Sequence, residues 1–159
     1  MKDNNKELIQ QLKDLILKGN AHATLDKALE NIPEKDRGTA PEKLPYSIWQ
    51  LAEHIRLAQW DILGFSKDPN HKSPKWPDDF WPKEHAPENN AAWEKCIKQI
   101  KKDRAALVEM LEDENADLYT PFPHGDGQNL LREALLVADL NSYHTGEIIL
   151  VRKLLGNWK

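Results

Sequence analysis

Two histidines of this chain lie inside apolar helical runs, and they are the residues whose type and setting could do chemistry. His54 falls in Trp49-Gln50-Leu51-Ala52-Glu53-His54-Ile55-Arg56, and His144 in Asp139-Leu140-Asn141-Ser142-Tyr143-His144-Thr145-Gly146-Glu147. Neutral imidazoles brought from different helices to one point can hold a divalent metal, and a coordination position left open then activates a water or a thiol. A histidine on an apolar helical face is more often a hydrogen-bonded core residue than a ligand. The neighbours of His144 have ordinary readings as well: Tyr143 as a buried hydroxyl with a partner, Glu147 as a solvated or capping carboxylate. Asp139 lies about 140° around the helix from His144, so it reads as pairing with Arg132 or Arg56 and not with a metal. Cys96, beside Trp93 and Ile100, reads as a small buried apolar residue. The turn Gly125-Asp126-Gly127 could cradle an anion, but a plain tight turn before a helix is the commoner use of such residues. His71 and His85 lie in a proline-rich stretch and read as exposed.

Helices must position these groups. Leu8, Leu12, Leu15 and Ile16, then Leu25, Ala28, Leu29 and Ile32, recur at three- and four-residue spacing, the mark of a helix with one buried stripe. They predict a first helix over about residues 4 to 32, bending near Gly19 and ended by the polar stretch Pro33 to Pro45. Ser47 and Gln50 form a capping-box pattern that starts a second helix running to Phe65. Its apolar residues face several ways, so more than one neighbour must cover it. Residues 67 to 87 hold Pro69, Pro74, Pro77, Pro82 and Pro87, each fixing its own φ and lacking a backbone donor, which excludes a helix or a central strand. This is a long ordered crossover, with Trp76, Phe80 and Trp81 as pins across the helices. A third helix follows from about Glu88 to Leu111, with Trp93, Ile97, Ile100, Leu107 and Met110 inward. A fourth runs from an N-cap at Asn129 to a stop at Gly156. The expectation is an all-α four-helix bundle in one domain, residues 1–159, with one long connection between helices two and three.

Composition removes several function classes. The chain has 159 residues, 40% of them hydrophobic, enough for one core. Its net charge is -4, and its 22 basic residues are spread along the whole length, so no basic stripe exists to neutralise phosphates and nucleic acid is not an expected partner. No run reaches the roughly 18 to 20 apolar residues that a membrane span needs. The start, Met1-Lys2-Asp3-Asn4-Asn5-Lys6, runs into an amphipathic pattern instead of a signal peptide, and the single cysteine cannot form an internal disulfide. A cytoplasmic location is the expectation.

The segment Asp139 to Glu147 resembles the terminal helix of the DinB/YfiT-like family, where this stretch typically reads Asp-His-x-x-Tyr-His-x-Gly-Gln and supplies two histidines of a three-histidine metal site. Trp49 to Arg56 is similar to the family's second-helix motif, with His54 in the place of the first ligand. Ser73-Pro74-Lys75-Trp76-Pro77 and Pro123-His124-Gly125-Asp126-Gly127-Gln128 resemble a subgroup, and the helical pattern matches over essentially the full chain. The resemblance implies a divalent metal (zinc, nickel or iron) held by His54 and His144, thiol-using transferase or isomerase chemistry, and pairing of two copies through helix faces. Here Leu140 stands where the family has a histidine, and a hydrocarbon branch ligates nothing. Hydrogen bonds around the site cannot restore it, because they orient ligands that already exist. Replacements for the third ligand are Glu147, three residues beyond His144 on its face, with Asn141 a weaker alternative, and His22, within about 5 Å of the height of His54 if the first two helices run antiparallel. His124 is poorly placed, roughly 22 Å along the helix from His144.

Two functions compete. The first is a metal-dependent enzyme with His54, His144 and either Glu147 or His22. The second has lost the metal and keeps the bundle as a small-molecule binding or dimerisation module, with Leu140 converting a polar cleft into a partly apolar one.

Overall fold

The computed structural model describes residues 2–158, with side chains from Asn5 to Trp158. Met1 and the side chains of Lys2, Asp3 and Asn4, on which the reading of no signal peptide partly rests, lie outside the described residues. The architecture is all-helical: α1 (Lys2–Lys18), α2 (Leu25–Leu29), α3 (Glu34–Arg37), α4 (Ile48–Lys67), α5 (Asn90–Glu112) and α6 (Leu130–Leu154), with a 3-10 turn at Asp78–Phe80. No strand occurs among the described residues, and no helix there is long and apolar enough to cross a membrane.

The first expected helix is two helices. Gly19 at φ 68° and Asn20 at φ 37° take the left-handed region, which ends an α-helix. The chain restarts at Thr24, whose side chain accepts from Lys27 N at 3.1 Å and caps α2. Leu25, Ala28, Leu29 and Ile32 are all buried, as their spacing requires. Arg152 of α6 holds the end of α2 by donating to the carbonyls of Ala28 at 2.7 Å and Glu30 at 3.0 Å. The polar stretch after Pro33 is not wholly irregular, because α3 forms within it.

The other boundaries follow their local signals. Ser47 and Gln50 form the reciprocal capping box at the start of α4. Asn89 and Asn129 cap α5 and α6 by accepting from Ala92 N and Arg132 N. Gly156 at φ 73° closes α6: its N–H bonds Lys153 O and that of Asn157 bonds Arg152 O, the paired pattern of a Schellman stop.

The four long helices α1, α4, α5 and α6 pack on one another, with α4 against both α5 and α6 and α1 against the same two. The apolar interior falls into two clusters. One gathers Leu29, Ile48, Leu51, Ile55, Ile100 and Ile148; the other Leu12, Ile16, Leu107, Leu111, Leu118 and Val137. Between the segments that build them lie buried polar residues, Gln59 on α4, Asp103 and Arg104 on α5, and Asn141 on α6.

Residues 68–89 contain no regular element beyond the 3-10 turn. One stripe of α4 holds this connection through its backbone: Ser47 Oγ donates to His85 O, Gln50 Nε2 to Pro82 O at 3.2 Å, and His54 Nδ1 to Phe80 O at 2.9 Å. Of the three aromatics expected to pin the segment, Phe80 is buried and Trp81 half-buried, but Trp76 stays 66% exposed.

Candidate metal centre

His54 and His144 meet. Their ring centroids lie 4.7 Å apart with the planes at 78°, and both side chains are buried, His54 at 2% and His144 at 6% exposure. A carbonyl oxygen only accepts, so the Nδ1 of His54 facing Phe80 O carries the proton and Nε2 keeps its lone pair. The ring is stacked on Trp81 at 4.0 Å and 3°, and Trp81 stacks on Tyr46 at 4.1 Å on its own account. Burial takes the His54 pKa from 6.5 down to about 4; the Phe80 bond opposes this, and His144 adds a smaller push downwards. His54 is therefore neutral at pH 7.

Glu147, one turn on from His144, places Oε2 2.6 Å from His144 Nδ1. It is neither simply solvated nor a cap, because it orients the ring and leaves Nε2 as the nitrogen free of a partner. Both imidazoles are thus pinned at Nδ1, the arrangement that presents Nε2 to a ligand. Leu140, one turn before His144, is half-buried and offers no donor atom. Among the described residues no group of three His, Cys, Asp or Glu side chains gathers to hold a metal. His22 is exposed, with Nδ1 on Ala23 O at 2.8 Å and Nε2 on Ser142 Oγ at 3.0 Å. Asn141 accepts from Gln59 Nε2 at 2.6 Å.

Several ordinary readings need correction. Tyr143 is 65% exposed and not a buried hydroxyl, since its side of α6 has no covering element. Asp139 is exposed and pairs with neither Arg132, which bonds Glu133, nor Arg56, which bonds Glu53 through two nitrogens. His71 is not exposed: Nε2 lies 2.7 Å from Asp61 Oδ1 and the ring meets Trp60 edge to face. His85 is exposed as expected. His124 bonds Phe65 O at 2.8 Å and packs on Phe65 and Phe122. Phe65 is eleven residues beyond His54 on α4, so this histidine sits about 16 Å along the helix from the pair. The turn at Gly125 is closed by Gln128, whose Oε1 accepts from Asp126 N and leaves no room for a Cβ at Gly125. Cys96 is buried, and burial pushes its thiol pKa far up, helped by Glu53, so it is no nucleophile. Sequence reasoning did not find Trp81 and the Phe80 carbonyl as partners of His54; the cluster of aromatics in the connection was the only signal for them.

These features define a helical protein with a buried pair of imidazoles, each donated by a different long helix and each held by a second group. The family model described as the DinB superfamily matches residues 20–148. The chain belongs to that superfamily. No curated protein and no solved structure matches it.

Proposed function

We propose that this chain is a four-helix bundle of the DinB type, with residues 68–89 as its crossover, in which the three-histidine metal site has been reduced to a pair. In this reading it serves as a small-molecule binding module and holds no catalytic metal. The observation that carries the reading is the donor set. A catalytic zinc site takes three protein ligands and keeps the fourth position open. His54 and His144 supply two, Glu147 is engaged with His144 Nδ1, and Leu140 supplies none. The residues present do not fit the three-ligand centre, so no reaction step is assigned to a metal here. What the pair offers a ligand is hydrogen bonding at the two Nε2 atoms beside the exposed indole of Trp76, 6.2 Å from His54, since Trp81 already stacks between His54 and Tyr46. That suits a small molecule with a polar donor and a planar or apolar body.

One observation favours the metal-dependent alternative, a thiol transferase or isomerase: pinning both Nδ1 atoms is also how metal-binding histidines are prepared. Metal analysis separates the two. Protein purified without chelator, then loaded with zinc and dialysed, should hold less than about a tenth of an equivalent. Leu140→His should tighten zinc binding, measured by competition with a chromogenic chelator, by more than the roughly 100-fold that loss of a supporting hydrogen bond costs a metal site. Stoichiometric zinc, nickel or iron in the unmutated chain would sink the proposal. The partner supported by the exposed outer face of α6 is a second copy of the chain.

A further inference from the structure

A groove of about 440 Å³ runs between α4 and α5, away from the histidine pair. On α4 it is lined by Trp49, Glu53, Arg56 and Trp60, whose four-, three- and four-residue spacings make one stripe of the helix. His54 lies about 130° around from the middle of that stripe. On α5 the small side chains of Ala92 and Cys96 leave the space, with Lys95 and Gln99 at its edges. Trp49 and Trp60 are eleven residues apart, so they stand at two ends of a channel roughly 16 Å long.

The polar groups of this groove are unevenly satisfied. Glu53, its one carboxylate, accepts from both Nε and Nη2 of Arg56, at 2.7 to 3.0 Å. Gln99 donates to Asp103. Most of the groups without partners are donors, with the Oε1 of Gln99 left open as an acceptor beside them. Arg56 Nη1 has no acceptor, Lys95 forms no ion pair among the described residues, and the buried Nε1–H of Trp49 has no partner. Trp60 leaves 41% of its surface exposed, so part of the indole stays open beside the cationic site even though His71 meets the ring edge to face. Among the side chains that line the groove, Arg56 and Lys95 outnumber Glu53 by one charge; the Asp103 carboxylate, bonded by Gln99, also acts on Arg56 from behind the lining.

We infer that the α4–α5 groove is a second binding site, distinct from the histidine pair, for a small organic monoanion: a carboxylate on a planar apolar body. The carboxylate would take the free donors of Arg56 and Lys95, and the ring would lie along Trp60. Charge-assisted bonds to both cations make the anion the preferred form over a neutral isostere. The site does not depend on the reading of the histidine pair, since no residue is shared.

The test uses 2-naphthoate, its neutral amide, and the full chain labelled for the six tryptophan indole N–H signals. We expect 2-naphthoate to bind with a Kd of about 1 mM or tighter, as its size allows, and to shift the Trp49 and Trp60 indole signals without moving that of Trp81. The amide should bind at least about tenfold more weakly, and Lys95→Gln and Trp60→Ala should each weaken 2-naphthoate by about tenfold. Both substitutions are at exposed positions, and an unchanged melting temperature confirms that the fold is kept. Absence of saturable binding, equal binding of the amide, indifference to both substitutions, or a shift of Trp81 in place of Trp49 and Trp60 would each overturn the assignment.

Discussion

A neutral imidazole at His54 has a cost that appears in acid. In the unfolded chain a histidine titrates near 6.5, while in the fold His54 holds its proton only below about 4. The unfolded state therefore binds more protons between these values, and folding stability falls as the pH falls through that window. The stability is fully present above about pH 6.5 and its loss is complete below about pH 4. For His54 alone the loss between pH 7.5 and 4.5 should be roughly 2 to 3 kcal/mol. His54→Gln keeps a donor for the Phe80 carbonyl and has no proton to gain. Denaturant melts of this variant and the parent should differ in pH slope across that window, and parallel curves would show that His54 is more hydrated than its burial implies. Glu147 acts at the same scale: its carboxylate fixes which nitrogen of His144 is free, a role that spacing alone showed only as a shared helical face.

The connection 68–89 is held by α4, and at Ser47 one of these ties coincides with the helix cap. Its Oγ accepts from Gln50 N to cap the helix and donates to His85 O to hold the connection. Ser47→Ala removes both, so it should cost about 1 to 2 kcal/mol in a melting experiment, the upper part of the range for losing a cap alone. Because the same segment carries Phe80 and Trp81 over His54, tryptophan fluorescence should also change; an unchanged spectrum would mean the site is held without this tie. The cap itself was legible in the residues, as were Asn129 and the Gly156 stop, because each signal acts within four residues. The break of the first helix at Gly19 and Asn20 was only half legible. An apolar stripe continued on both sides, so periodicity hid two residues in the left-handed region. Contacts between elements were less legible still. Nothing near His71 announces Asp61, and nothing near His54 announces the Phe80 carbonyl, since both depend on where the connection folds back. That His54 and His144 sit on different long helices could be read from the chain, but their 4.7 Å approach depends on the packing of α4 against α6.

At the scale of the molecule, α6 is the element with too much apolar surface for the neighbours it has. His144, Asn141 and Ile148 face inward, while Leu135, Tyr143, Leu150 and Leu154 remain exposed on the other side. Asp139, Gly146 and Lys153 share that outer stripe and are also exposed. A Cβ at Gly146 would meet nothing within 4 Å, so another backbone can come close there. Asp139 and Lys153 lie seven residues before and seven after it. If two copies of α6 cross antiparallel at Gly146, the two-fold axis places each Asp139 opposite the partner's Lys153, twice over, with Tyr143 near the partner's Leu150. In the proposed dimer this charge complementarity would fix one register. Asp139→Lys alone and Lys153→Asp alone should each weaken the dimer by roughly five- to tenfold in sedimentation equilibrium, because symmetry doubles every like-charge contact. The two substitutions together restore the pairing with its sign reversed, so the double variant should recover most of the affinity. Leu150→Glu should leave a folded monomer. A double variant weaker than either single, or a parent chain that stays monomeric at high concentration, would leave this face to some other partner.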